Sequence, residues 1–156
     1  MAKYTVVLPD AVIKEFKKVY DNTDKIFGAM TKAGAEVVAQ NIRANAPTGI
    51  KNSPIMHHLK VSKTYKTPSD GGINNKTAFF YQTGADGYFV NDKKQTVPID
   101  LVLNAFEYGT KARYTRKGGY RGQIVKQPFI RKSFNRAEIE QAMLKAQKEA
   151  SGGLLE

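Results

Sequence analysis

Residues 24–47 read DKIFGAMTKAGAEVVAQNIRANAP, and this stretch decides the fold. Ile26, Phe27, Met30, Ala33, Val37, Val38 and Ile42 recur at the three- and four-residue steps that line one side of an α-helix. Ala29, Gly34, Ala35 and Ala39 keep the neighbourhood of that stripe thin, which predicts close packing against a sheet. The stripe is read as core rather than as a groove for a partner helix. The helix ends at Ala46-Pro47, because the residue before a proline is pushed out of the α region.

Working toward the N-terminus, Asp21-Asn22-Thr23-Asp24 carries side chains that bond nearby backbone amides, so the group ends one helix and caps the next. Val12, Phe16, Val19 and Tyr20 line one face of that earlier, brief helix from Asp10, with Lys14, Lys17 and Lys18 turned away. Lys3 to Leu8 is β-branched and aromatic and reads as a short strand, closed by Pro9, whose fixed φ prepares the helix start.

Toward the C-terminus, Pro47-Thr48-Gly49-Ile50-Lys51-Asn52-Ser53-Pro54 reads as an extended loop. Leu59, Val61, Lys63 and Tyr65 alternate with Lys60, Ser62, Thr64 and Lys66, the period of a half-solvated strand. The turn cluster Thr67 to Gly72 separates it from a hairpin partner over Thr77 to Thr83. Gly84-Ala85-Asp86-Gly87 turns the chain again, Tyr88-Phe89-Val90 makes a third strand, and Pro98 opens a short helix with Ile99, Val102, Leu103 and Phe106. Residues 111–126 carry Lys111, Arg113, Arg116, Lys117, Arg121 and Lys126 with no acid and no apolar period, which predicts a long mobile loop. Gln127-Pro128-Phe129 then begins a closing helix with Ile130, Phe134, Ala137, Gln141 and Leu144 on one side, supplemented by Ile139 and Met143, ending at Ser151-Gly152-Gly153. One domain over residues 1–150 is expected, with 151–156 a disordered tail.

The 156 residues are 41% hydrophobic, enough for one core of its own without metal or crosslinks. With no cysteine, disulfides, thiolate metal clusters and cysteine nucleophiles are excluded. No apolar run reaches the length of a membrane helix, and the start resembles no secretory leader, so no membrane partner is expected. The formal charge of +11 suits nucleic acid, anionic lipid or an acidic protein surface.

Catalytic signals are weak. His57 and His58 are adjacent, so on a strand they face opposite sides and cannot share one ion or proton. A nuclease would pair one imidazole with Lys60, but a lone loop histidine is more often a surface residue. Asp70, Asp86, Asp92 and Asp100 lie beside turns, where aspartate is expected for turn chemistry alone. Gly118-Gly119-Tyr120-Arg121-Gly122 lacks the preceding strand and following helix of a phosphate-binding loop. The same segment is more informative as a binding loop, since its cations neutralise phosphates or acidic side chains while Tyr114 and Tyr120 offer stacking faces.

Three signals stand in a telling order: Asn45-Ala46-Pro47-Thr48-Gly49 closing the long helix, then Phe106-Glu107-Tyr108-Gly109-Thr110, then Gln127-Pro128-Phe129-Ile130. Their order and spacing resemble a family of small neck proteins, the head-to-tail joining or tail-completion components of long-tailed bacteriophages, over most of residues 24–148. The chain departs from that family in an insertion over Ile50 to His58 and in a longer stretch over 84–104. The resemblance makes Pro47, Thr48, Gly49, Glu107, Gly109, Thr110, Pro128 and Phe129 the motif and scaffold turns. Physics agrees: Gly109 permits positive φ or close backbone approach, Thr110 bonds a neighbouring amide, and Glu107 accepts from that same turn. Pro128 prepares a helix entry that sets Phe129 and Ile130 into the core or against a neighbouring subunit, the core being the commoner outcome.

The expected fold is therefore α+β: a small, mainly antiparallel twisted sheet, packed by the long helix of the N-terminal half and a C-terminal helix, with loops 47–58 and 111–126 projecting. The resemblance implies a structural virion protein, made in the host cytoplasm and placed in the neck. It would form a homo-oligomeric ring around the DNA channel, touching connector or head-closure proteins on one side and tail-completion or tail-tube proteins on the other. No catalysis, cofactor or metal is implied, and DNA contact would be nonspecific. The rival reading is a free-standing basic nucleic-acid-binding protein, more remotely a nuclease.

Overall fold

The computed structural model of the chain describes residues 9–63, 65, 66, 79, 80, 82–91 and 94–152. The strand expected over Lys3 to Leu8, the turn Thr67 to Gly72 and residues 153–156 of the expected tail lie outside the described residues, whereas Ser151 and Gly152, also assigned to that tail, are the end and cap of the last helix.

Helix α1 spans Asp10–Asp21 and buries none of its residues. Helix α2 spans Thr23–Asn45, with Asn22 at φ −100° and ψ 5° between the two. The junction side chains serve the helix that ends rather than the one that begins. Asn22 Nδ2 donates to the Lys18 carbonyl at 2.8 Å, and Thr23 Oγ1 donates to those of Tyr20 (2.8 Å) and Val19 (3.1 Å). Asn22, at the N-cap of α2, makes no side-chain capping bond, so its expected capping role is corrected. The physical reason is direction: these side chains carry donors, and the last carbonyls of α1 are the groups left without partners.

Ala46-Pro47 ends α2 as expected. The segment after it is folded rather than extended. Helix α3 (Thr48–Lys51) and a 3-10 turn at Pro54–His58 bury Ile50, Ile55 and Met56. Pro47 and Pro54 stand at the starts of these turns, where a missing N–H costs nothing, so they initiate structure that three apolar side chains then anchor.

The strands β1 (Leu59–Val61), β2 (Tyr65–Lys66), β3 (Phe79–Phe80) and β4 (Thr83–Ala85) form the expected hairpin. Leu59 faces Ala85 and Val61 faces Thr83, whereas Tyr65 faces Phe80, one residue out of step. At this offset Ser62 N–H donates to the Gln82 carbonyl, and Ser62 Oγ accepts from Gln82 N–H at 2.9 Å. Leu59 is buried, Lys60 exposed and Val61 half-buried, the alternation read from the sequence. Gly84 and Ala85 belong to β4, so the turn placed at 84–87 shrinks to Asp86-Gly87, where Gly87 takes φ +100°. Strand β5 (Tyr88–Val90) pairs antiparallel with β6 (Thr96–Pro98), and helix α4 (Ile99–Tyr108) follows at Pro98 as expected.

Strands β7 (Arg113–Tyr114) and β8 (Tyr120–Gly122) pair beyond α4, and helix α5 spans Arg136–Ser151. Gly152, left-handed at φ +62°, caps α5 through an N–H donated to the Lys148 carbonyl. The class is α+β as expected, with the strands among the described residues arranged as four antiparallel pairs. The core joins Val38 and Ile42 of α2 to Ile50, Ile55, Leu59, Ile99, Leu103 and Phe129.

Helix α5 differs from its expectation at both its start and its face. Gln127-Pro128-Phe129 opens a 3-10 turn at Arg131–Ser133, and the α-helix begins only at Arg136. The packed side carries Ile139 and Met143, whereas Phe134 and Leu144 are exposed. Gly34 explains the choice: a β-carbon there would stand 3.2 Å from Met143 Cγ and 3.3 Å from Ile139 Cγ2. The thin side of α2 thus admits α5, while its other contacts include β1 and β4.

Candidate partner-binding site

Helix α4 buries Ile99, Leu103 and Glu107, three residues at four-residue steps, so a carboxylate occupies the last place of an apolar stripe. Glu107 is only 1% exposed. Its Oε2 accepts from Phe129 N–H and Ile130 N–H, both at 2.8 Å, and its Oε1 accepts from Arg131 N–H at 3.4 Å and Arg131 Nε at 3.2 Å. The expected partner was the turn beside it, and the observed one lies 22 to 24 residues further on. The reason is that Phe129 to Arg131 lead into the 3-10 turn, whose first amides have no partner of their own. Burial by itself pushes the Glu107 carboxyl up, but the three amides and the Arg131 guanidinium outweigh it and hold the group below the usual carboxylate range. Arg131 also lies over the Tyr108 ring, 5.1 Å from its centroid.

The residues after Glu107 fasten the same returning segment. Gly109 adopts φ +77° and ψ 172°, a region that essentially only glycine occupies. A β-carbon at Gly109 would lie 3.0 Å from Lys126 N and 3.2 Å from the Ile124 carbonyl oxygen. Thr110 N–H donates to the Ile124 carbonyl, Thr110 Oγ1 accepts from Ile124 N–H at 2.9 Å, and Gln127 N–H donates to the Phe106 carbonyl. The Glu-x-Gly-Thr sequence is therefore a receiver for residues 124–131.

Between receiver and received segment stands the basic stretch, and it is ordered. Strands β7 and β8 form a hairpin whose register shifts at Arg113/Tyr114. Thr115 N–H donates to the Gly119 carbonyl and Thr115 Oγ1 accepts from Gly119 N–H, while Gly118 supplies φ +82°. Tyr114 and Tyr120 meet edge to face with centroids 5.6 Å apart. The expected mobile loop is thus a short hairpin, too brief for a strand period to show in the sequence. Lys111, Arg113, Arg116, Lys117, Arg121 and Lys126 are all exposed, and none forms an ion pair among the described residues.

The three separated motifs converge at this place. Pro47, Lys126, Pro128 and Phe129 line one open cleft of about 420 Å³ with Asn45, Gln127 and Lys132. Gly49 lies beneath the Phe106 ring, and Thr48 is exposed at the start of α3. Ser133 and Asn41, which lie outside the three motifs, carry the arrangement together with Asn45. Ser133, fully buried, donates from Oγ to the Phe129 carbonyl at 2.6 Å and accepts from Asn45 Nδ2 at 3.2 Å. Asn41 Nδ2 donates to Glu138 Oε2 and the Ser133 carbonyl. Asn41 and Asn45 stand four apart on α2, a spacing that places two amides side by side on one helix edge.

His57 and His58 belong to the 3-10 turn rather than a strand, and His58 faces Gly87. Among the described residues, no three His, Asp or Glu side chains gather in a way that could hold a metal ion. No helix among them is long and apolar enough to cross a membrane.

All three converging motifs fall within residues 10–140, which match the model of the family described as "Bacteriophage HK97-gp10, putative tail-component". The chain belongs to that family. The HK97-gp10-like match agrees with the resemblance carried by the three motifs, and it makes the chain a structural component of a phage virion. Comparison with curated proteins and with solved structures gave no match.

Proposed function

We propose that the chain, as one domain over residues 1–150, forms a ring in the neck of a long-tailed phage and joins the head connector to the tail around the DNA channel. The observation that carries this reading is the family match across residues 10–140. The docking element is the β7–β8 hairpin. Lys111, Arg113, Arg116, Lys117 and Arg121 meet an acidic surface of a connector, head-closure, tail-completion or tail-tube protein, and repetition around the ring makes weak contacts multivalent. A hairpin already ordered loses less conformational entropy on docking than a floppy loop would. Electron microscopy of the assembled neck tests this: the reading requires a ring of this chain with Arg116 beside protein carboxylates. Its absence from the neck overturns the reading.

A second reading, contact with DNA, is favoured by one specific observation: Tyr114 and Tyr120 are each 63% exposed beside the cations. Six phosphate contacts predict a slope of about −5 for log K against log salt. A slope near zero in a salt titration with duplex DNA removes this reading and leaves the acidic protein partner.

A further inference from the structure

The convergence of the three motifs leaves a concavity that the hairpin does not use. The open cleft beside Pro47 and Pro128, of about 420 Å³, falls within the size range of ligand sites, about 300–1,000 Å³. The charged residues that line it are Lys126 and Lys132, both exposed, and neither forms an ion pair among the described residues. Arg131, the cation between them and the receiver, is already held by Glu107 Oε1 and the Tyr108 ring. No carboxylate is among the described residues that line the cleft, so its two positive charges are uncompensated.

The walls are fixed before anything binds. The buried Phe129 is held through its N–H by Glu107 and through its carbonyl by Ser133 Oγ, and Asn45 reaches the same Ser133 from α2. Gln127 N–H is tied to the Phe106 carbonyl. The half-buried Pro47 and Pro128 carry no N–H, so they offer ring carbons as apolar surface. The exposed side-chain amide of Gln127 and the amide oxygen of Asn45 have no partner among the described residues and remain able to bond a peptide.

We propose that this cleft is a binding site for an acidic segment of a partner protein. A glutamate or aspartate carboxylate of that segment meets Lys126 and Lys132, its stem lies on the two proline rings, and the flanking backbone bonds to the amides of Gln127 and Asn45. Charge and shape together select this occupant. Two unpaired cations with no acid beside them call for an anion. A DNA duplex carries its phosphates on the outside of a stiff cylinder and spans a cleft of this size rather than entering it, whereas one acidic side chain with its peptide fits inside. Because the walls are already ordered, docking costs little conformational entropy in this chain. The inference needs neither the ring nor the hairpin.

NMR titration of the full nitrogen-15-labelled chain at physiological salt tests it, with acetyl-Gly-Glu-Leu-Glu-Gly-amide, its glutamine counterpart and inorganic phosphate as ligands. The glutamate peptide should move the Gln127 side-chain amide and the Lys126 and Phe129 backbone resonances, and the glutamine peptide should bind about tenfold more weakly. Lys126→Gln with Lys132→Gln should weaken the glutamate peptide about tenfold, at about threefold for each lysine. Arg113→Gln, Arg116→Gln, Lys117→Gln and Arg121→Gln combined on the hairpin should leave it within about twofold, because their charges are screened beyond about 8 Å. Shifts confined to residues 113–122, equal binding of the two peptides, or a loss in the hairpin variant as large as in the lysine variant overturns the proposal. Inorganic phosphate moving Gln127 as strongly as the glutamate peptide at equal concentration also overturns it, in favour of a phosphate site. Failure here leaves the neck reading standing, because imaging decides that, and absence from the neck leaves this site standing.

Discussion

Residues 113–122 and residues 124–131 are neighbours in the chain held by different means. The first stretch is a hairpin whose side chains face solvent, tied mainly to itself by Thr115, Gly118, Gly119 and the tyrosine pair. The second is fastened by Glu107, Gly109 and Thr110 on one side and by the buried Ser133 with Asn41 and Asn45 on the other. Stability is concentrated in the anchor and charge in what it carries. Substitutions in the two places should therefore separate folding from binding.

The largest effect is expected from Glu107→Ala, which strands three amides in a buried place and should cost about 3–5 kcal/mol by denaturant unfolding. The exposed Arg131 contributes little of this, because its charge is screened by water. Loss of under 1 kcal/mol would show that the anchor lies elsewhere. Gly109→Ala should cost about 2–3 kcal/mol, since alanine must adopt a glycine-only conformation against the Lys126 backbone.

Acid sharpens the comparison further. The folded Glu107 carboxyl lies below its unfolded value of about 4.3, so its stabilisation is complete above that pH and fades as pH falls through the lower folded value. Glu107→Gln should be less stable than the parent by about 2 kcal/mol at pH 7, and the gap should narrow on acidification below about pH 4.5. Thermal unfolding of both chains across pH checks this; a gap independent of pH contradicts it. The smallest effect belongs to the hairpin. Arg116→Glu with Lys117→Glu should change stability by less than about 0.5 kcal/mol while reducing attachment to neck partners, read by unfolding and by assembly on the same preparation.

Much of this contrast was legible locally and some of it was not. The long helix, its stop at Pro47, the hairpin from Leu59 and the helix from Pro98 follow from periodicity and proline chemistry. The special role of Gly109 followed from its place after a helix. The partner of Glu107 did not, because its donors arrive 22 to 24 residues later and no local spacing marks them. The β7–β8 hairpin left a faint sign in two tyrosines flanking a glycine pair, too short for a strand pattern. Helix α5 offered two stripes with helical spacing. In the richer one Phe134 falls before the helix begins, and Leu144 faces solvent because Ile139 and Met143 fit over Gly34, a fit that depends on a helix a hundred residues away in the chain.

One consequence of the receiver at Glu107 to Thr110 concerns evolvability. It is hydrogen-bonded to residues 124–131, whereas the turn from Thr115 to Gly119 closes through hydrogen bonds of its own. Because closing a loop grows dearer only with the logarithm of its length, doubling this one costs about 0.6 kcal/mol. Phages can therefore vary the outer turn, in length or charge, to suit new structural neighbours while the mounting stays the same.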